Sequence, residues 1–355
     1  MKSIRIISTG VVLLTLAGCR SLGPRTMTRD RIDYSESISD SWKHQILLNI
    51  VKLRYMDTPV FLDVSQIVSG YSFETGVNLG GSLSPKYWDG DTFVESSVAG
   101  KYTDRPTITY NPMTGNEFLR GLLGPVPPCN LFYLVRSGYD AKFILSLGLE
   151  SISGFNNVMM RAGNVLPADP DFIKAVNLWK ELQFAGTVGM IMREGEDEKR
   201  EATIFFEYKN HSEAVHKKEK ELKRLLGLKE DQEYFHLVTS PLQRGPQKLA
   251  LESHSIMQIL AMLSTCVEVP ESDIQEKRTV PLFGISVKED DPIRIRCSEE
   301  RPEDAFISVK YRKRWFWVSD QDWRSKRTMS ILQFLFLLND SDVEANLPQI
   351  TIPAN

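Results

Sequence analysis

The chain has 355 residues, 42% of them apolar and 25% charged, with a formal net charge of −3. The length suggests about two domains, and the composition excludes a mainly disordered, collagen-like or polytopic membrane chain. Without a bulk positive field, nucleic acid is not an expected partner.

Lys2 and Arg5 open the chain, and an apolar run from Ile6 to Leu16 follows. That run falls short of the about 20 residues a spanning helix needs. Its order of charge, short apolar stretch and small residues fits a secretory signal peptide. The run ends in Leu16-Ala17-Gly18-Cys19, a block that resembles the lipobox of bacterial lipoproteins. The resemblance implies removal of residues 1–18, lipidation of Cys19 with palmitate among its acyl chains, and attachment to a membrane. A plain signal peptide that happens to end at a cysteine is the competing reading. Several acyl chains hold a protein far more firmly than one, because each buried CH2 contributes about 0.8 kcal/mol. In the Gram-negative sorting pattern an Asp after the cysteine marks retention at the inner membrane, so Arg20 implies the outer membrane, facing the periplasm. Residues 19–29 read as a tether, with Arg20, Arg25 and Arg29 its only charges and Gly23-Pro24 breaking regular structure.

Asp33 to Tyr55 reads as one helix, because Ile38, Trp42, Ile46, Ile50 and Leu53 recur at spacings of three and four. Asp57-Thr58-Pro59 ends it. Val60 to Val68 is apolar enough for a buried strand. From 59 to 100 only six charges occur, and Tyr71, Phe73, Val77 and Leu79 alternate with Ser72, Glu74 and Asn78. Val94, Val98 and Tyr102 repeat the pattern, as do Ile108 and Tyr110, which predicts antiparallel strands in a meander or long hairpin.

Past Pro125-Val126-Pro127-Pro128 the chain turns helical. Leu131–Val135 is a short helix or a strand, and Lys142–Leu149 a short helix. Asp169 and Pro170 suit the start of a longer helix and Gly186 its stop. Val188–Met192 and Ala202–Tyr208 read as strands joined by the charged loop 193–201. Ser212–Leu226 reads as a charged helix with Glu213–Lys217 and Glu219–Lys223 pairs, and Tyr234–Val238 as a strand. Ser255–Cys266 is an apolar, buried helix. Ala305–Tyr311 and Trp315–Val318 form a hairpin before a helix near 325–338, and Pro348–Pro353 reads as an extended tail. The fold class is therefore α+β, an N-terminal helix with a β-rich antiparallel region followed by a mixed α+β body. The expected organisation is a signal peptide at 1–18, a tether at 19–29, the helix and β-rich region at 30–128 and an α+β domain at 129–355.

Three blocks behind the lipobox, Leu48–Tyr55, Arg105–Tyr110, and Trp315-Phe316-Trp317 with Ser325-Lys326-Arg327, resemble an uncharacterised family of bacterial envelope lipoproteins. That resemblance implies no activity, so it carries no catalytic residue over.

Motifs for chemistry are sparse. HExxH is absent, and His211 and His216 diverge if both are on one helix. Gly80-Gly81-Ser82-Leu83-Ser84 lacks the last glycine of a nucleophile elbow. Asp89/Asp91 and Asp320/Asp322 are the closest carboxylate pairs for a glycosidase, and the second pair suits helix capping better. Among Cys129, Cys266 and Cys297, the pair Cys266–Cys297 is the first to test as a disulfide. No metal site and no cofactor is expected.

The most unusual block is basic and aromatic. Lys310, Arg312, Lys313, Arg314, Arg324, Lys326 and Arg327 lie within 18 residues of one another, against Asp320 and Asp322. Strand alternation puts Trp315 and Trp317 on one face and Phe316 on the other. Recognition of an anionic lipid, glycan or acidic envelope protein is therefore assigned to Arg312, Lys313, Arg314, Arg324, Lys326 and Arg327, with the aromatics in support. A solvated turn over core tryptophans is the plainer alternative. The function expected is a lipid-anchored binding or assembly component of the envelope, more a binder than an enzyme. Two alternatives stand beside it: a subunit of an oligomeric outer-membrane pore built from the 70–110 strands, and an envelope polysaccharide or peptide hydrolase with a dispersed site.

Overall fold

Helices and strands alternate in blocks, giving a mixed α+β fold, in a computed structural model that describes residues 23–68, 71–81, 94–104, 107–113, 116–161, 164–194, 200–207, 211–281 and 291–339. The leader, Cys19, Asp89/Asp91 and the Pro348–Pro353 stretch lie outside these. Chain contacts divide the described residues into two units, one from 23–39 and 62–112, the other from 40–61 and 113–339. Among the described residues no helix is long and apolar enough to cross a membrane.

Helix α1 (Gly23–Arg54) begins inside the expected tether, its residues 23–39 counted with the first unit and 40–54 with the second. Pro24 does not prevent this, since the first turn has no N–H partner to lose. The strands of the first unit are β1 (Leu62–Val68), β2 (Tyr71–Gly81), β3 (Val94–Asp104) and β4 (Thr107–Pro112). β1 pairs with β4 and β2 with β3, both antiparallel. Val68 stands opposite Thr107 and, three residues on, Tyr71 stands opposite Asp104, so the two pairs run in phase. The four expected strands thus form two antiparallel pairs, each a two-stranded sheet. The buried strand expected from Val60 is not seen: Val60 is 51% and Leu62 39% exposed.

The second unit continues with α2 (Asn116–Leu123), α3 (Pro128–Arg136), α4 (Ala141–Gly148), β5 (Leu149–Ile152), β6 (Phe155–Asn156), β7 (Met159–Arg161), β8 (Asn164–Leu166) and α5 (Pro170–Ala185). Then come β9 (Val188–Glu194), β10 (Arg200–Phe206), α6 (Glu213–Leu225), β11 (Tyr234–Val238), β12 (Lys248–Ser253), α7 (Ile256–Ser264) and α8 (Glu271–Gln275). The unit ends in β13 (Arg296–Ser298), β14 (Ala305–Tyr311), β15 (Arg314–Ser319) and α9 (Trp323–Asn339). The main sheet runs β6-β5-β12-β11-β10-β9, and all its pairs are antiparallel except β11 with β12. A smaller sheet runs β13-β15-β14.

Local chemistry sets these elements. Gly186 closes α5 at φ +72°, a left-handed conformation that costs glycine little. Asp169 holds the N-cap position of that helix as expected, but its side chain makes no capping bond and instead accepts the Asn156 N–H at 2.6 Å. Ser255 and Gln258 form a reciprocal capping box on α7. The proline-rich 125–128 stretch alternates, with Pro125 and Pro127 exposed and Val126 and Pro128 buried, and the Val126 N–H donates to the His254 carbonyl at 3.0 Å. Phe132, Trp179, Phe206 and Phe235 form a chain of ring contacts with centroids 5.5–5.8 Å apart. The polar residues of the 48–55 block serve packing. Asn49 exchanges two hydrogen bonds with the Val60 backbone, at 2.8 and 2.9 Å. Buried Arg54 donates to Thr279 and to the Val280 carbonyl, and the Tyr55 hydroxyl donates to Asp273.

Candidate binding face

The small sheet has one core face and one outward face. Phe316 and Val318 are fully buried, with Ile307 and Val309 beside them on β14. Trp315 and Trp317 alternate with these and are half-buried on the opposite face. Register places Lys310 of β14 and Ser298 of β13 opposite Trp315, and Arg296 of β13 opposite Trp317. The Arg296 guanidinium lies 5.2 Å from the Trp317 ring, and Arg301 lies 5.5 Å and Lys310 6.0 Å from that of Trp315. None of these three cations has a carboxylate within 4.0 Å among the described residues.

A guanidinium stacked on an indole keeps its in-plane N–H donors directed outward, and the ring limits its rotation. The face therefore offers pre-positioned donors for phosphate or carboxylate. The β13–β14 loop also carries exposed acids, Glu299, Glu300 and Glu303, of which Glu299 pairs with Arg314 at 3.1 Å.

The six cations assigned from sequence do not share one surface role. Arg312 stacks on Tyr55 at 5.2 Å and pairs with Asp57 at 3.4 Å, beside the Tyr311 hydroxyl bond to the same carboxylate. Arg314 holds Glu299. Lys326 holds Asp320 at 2.7 Å and lies over Phe306, which Lys43 also approaches. Arg327 stacks on Phe143 at 4.0 Å, and burial lowers its pKa, against the Asp140 charge that raises it. Arg324 lies 5.6 Å from the exposed Trp323 ring. Lys313 is exposed at the turn. Arg296 and Arg301 have no signal in the basic block, because strand pairing brings them there from upstream.

Other groups that could carry chemistry are engaged. Asp322 accepts the Ser325 N–H and hydroxyl at the start of α9, which is capping. A cleft of about 1330 Å3 lies among Phe132, Tyr133, Phe184, Met190 and Phe205. Its carboxylates Asp140 and Glu181 each pair with a lysine at 2.9 Å. Burial raises the pKa of Asp140, but bonds from Lys180 and the Phe143 N–H and the charges of Lys180 and Arg327 outweigh it, so the net shift is downward. His211 lies before α6, so it and His216 do not diverge around one helix but approach to 6.5 Å between rings. No group of three or more metal-ligating side chains occurs among the described residues.

Cys266 and Cys297, the expected disulfide candidates, are not bonded to each other, and both are free thiols. Burial and the Asp291 charge push Cys266 up to about 12, and burial with nearby carboxylates pushes Cys297 up to about 11.

Comparison of the chain with protein-family models, curated proteins and solved structures finds no match in any of the three.

Proposed function

We propose that the protein is a lipid-anchored component of the bacterial outer membrane, held through Cys19 and facing the periplasm, that binds an anionic glycan or lipid headgroup of the envelope. The supporting observation is the outward face of the small sheet, where Arg296, Arg301 and Lys310 stack on Trp315 and Trp317 without carboxylate partners. The binding residues proposed are these three and Lys313, in place of the wider set read from sequence. The site is a binding one, and no reaction is assigned to it.

Two measurements test the reading. Fatty-acid labelling should mark the wild type and not Cys19→Ala; equal labelling of both removes the anchor. Binding of the full chain to lipopolysaccharide should weaken as salt rises, and Arg296→Ser/Arg301→Ser/Lys310→Ser should reduce it about tenfold or more. These cations have no ion pair to lose among the described residues, so the triple variant should melt close to wild type. Wild-type binding that ignores salt, or a folded triple variant that binds equally well, overturns the assignment of the face.

A further inference from the structure

The β2–β3 pair runs for 11 register positions without a bulge, from Tyr71 opposite Asp104 to Gly81 opposite Val94. It belongs to a two-stranded sheet, and among the described residues no further strand pairs with either outer edge. A two-stranded ribbon is marginal in water and needs further strands or a covering surface. Its sequence is sided. Alternation puts Tyr71, Phe73, Val77, Leu79, Val98 and Tyr102 on one face, and Glu74, Asn78, Glu95, Ser97 and Lys101 on the other. Tyr71, Phe73 and Tyr102 gather at one end of the apolar face, and Asp104 stands at the terminal register position of that same end.

Length decides between a soluble and a membrane use of such a ribbon. Eleven residues at about 3.3 Å each span about 36 Å, and a tilt of about 45° reduces that to about 25 Å. An outer-membrane barrel presents an apolar band of about 25 Å, with aromatic residues at its margins and alternation along each strand. In a bilayer each unpaired edge must find a strand, because no water satisfies its N–H and C=O groups.

We infer that the β2–β3 hairpin inserts into a bilayer and closes into a β-barrel with the same hairpins of further copies of this chain. Side by side in one orientation, β3 of one copy meets β2 of the next antiparallel, so a single repeated contact completes the ring. Each copy supplies two strands, and the smallest barrels have about eight, so the ring holds at least about four copies. The inference draws its membrane from the lipid-anchor reading above.

The test uses the full chain in phosphatidylcholine vesicles. Cys129, Cys266 and Cys297 are replaced by Ser, and single cysteines at 76–79 and 96–99 carry an environment-sensitive fluorophore. Positions 77, 79, 96 and 98 should be quenched from the lipid, and 76, 78, 97 and 99 by aqueous iodide. Val77→Asp should lower the inserted fraction about tenfold, whereas Asn78→Asp should leave it nearly unchanged. Crosslinking should capture tetramers or larger rings. Uniform iodide quenching at all eight positions, or a monomer in the vesicles, overturns the barrel. Failure of the anchor reads differently: a chain that alternates but carries no lipid at Cys19 removes the anchor alone, and a lipidated chain on vesicles without alternation removes the barrel alone.

Discussion

Glu219 and Lys223 look from sequence like one more exposed pair on a charged helix, yet their side chains are only 2% and 1% exposed. The Lys223 ammonium donates to Glu219 at 2.6 Å, to the Gln232 carbonyl at 2.8 Å and to the Glu230 carbonyl at 3.3 Å. It also lies 4.9 Å from the Phe206 ring and 5.5 Å from that of Phe235. All three of its protons are thus used, and the pair ties α6 to the β11 side of the main sheet. Lys223→Met keeps the apolar stem but leaves the Glu219 carboxylate buried without its cation, which should cost about 3–5 kcal/mol. Glu219→Leu/Lys223→Met removes both charges and should cost no more than about 1–2 kcal/mol, so the double variant is the more stable by about 3 kcal/mol. Urea unfolding followed by tryptophan fluorescence measures this, since Trp179 packs on Phe206. His216 Nδ1 lies 3.7 Å from the Glu219 carboxylate, so all variants are compared at one fixed pH. A loss below about 1 kcal/mol for Lys223→Met, or a double variant as unstable as the single, would refute the reasoning.

Three further outcomes follow from local features. Lys313 sits at φ +69° in the β14–β15 turn, where a side chain costs about 1–2 kcal/mol, so Lys313→Gly should stabilise the chain by about 1 kcal/mol; a lower melting point contradicts this. His254 is 3% exposed with neither ring nitrogen hydrogen-bonded, and burial lowers its pKa from 6.5 to about 4. Its neutral form is fully compatible with folding above pH 6.5, and that stability is lost as the pH falls toward 4. The stability of His254→Leu relative to wild type should therefore rise by about 3 kcal/mol between pH 7 and 4, and parallel curves would count against the buried neutral imidazole. Cys266 and Cys297 should react slowly with a disulfide reagent at pH 8 until urea is added, and fast reaction of both in the folded chain would contradict their environments.

What could be read from the sequence depended on whether the determinant was local. Pro170 and Gly186 bracket α5 within a few residues of its ends, and strand alternation alone separates Trp315 and Trp317 from Phe316. β5 and β12 left no such trace. β5 is four residues that follow α4 without a turn, and β12 carries Leu249-Ala250-Leu251 in succession, which lacks a period of two. The burial of Lys223 depends on Phe206 and Phe235 from two strands, so its spacing to Glu219 showed the partner and not the environment. The same limit scattered the basic block. Asp57 lies 255 positions before Arg312, and Arg296 reaches Trp317 only through β13 pairing. Nearness in sequence grouped the cations, and strand geometry regrouped them.

The order of the main sheet bears on how the chain folds as it is made. β5 and β6 form early, and β9, β10 and β11 form a separate later set; only β12 joins the two, with Ile152 facing Leu251 on one side and Val238 facing Ala250 on the other. When β5 emerges, its partner edge is still about 100 residues from synthesis, and the loop it must close is correspondingly costly in entropy. Until β12 arrives, the nascent chain carries an open strand edge beside an apolar helix, the condition under which incomplete chains pair wrongly with their neighbours. Truncation between Val238 and Lys248 should therefore yield two half-sheets that aggregate, rather than a smaller soluble domain.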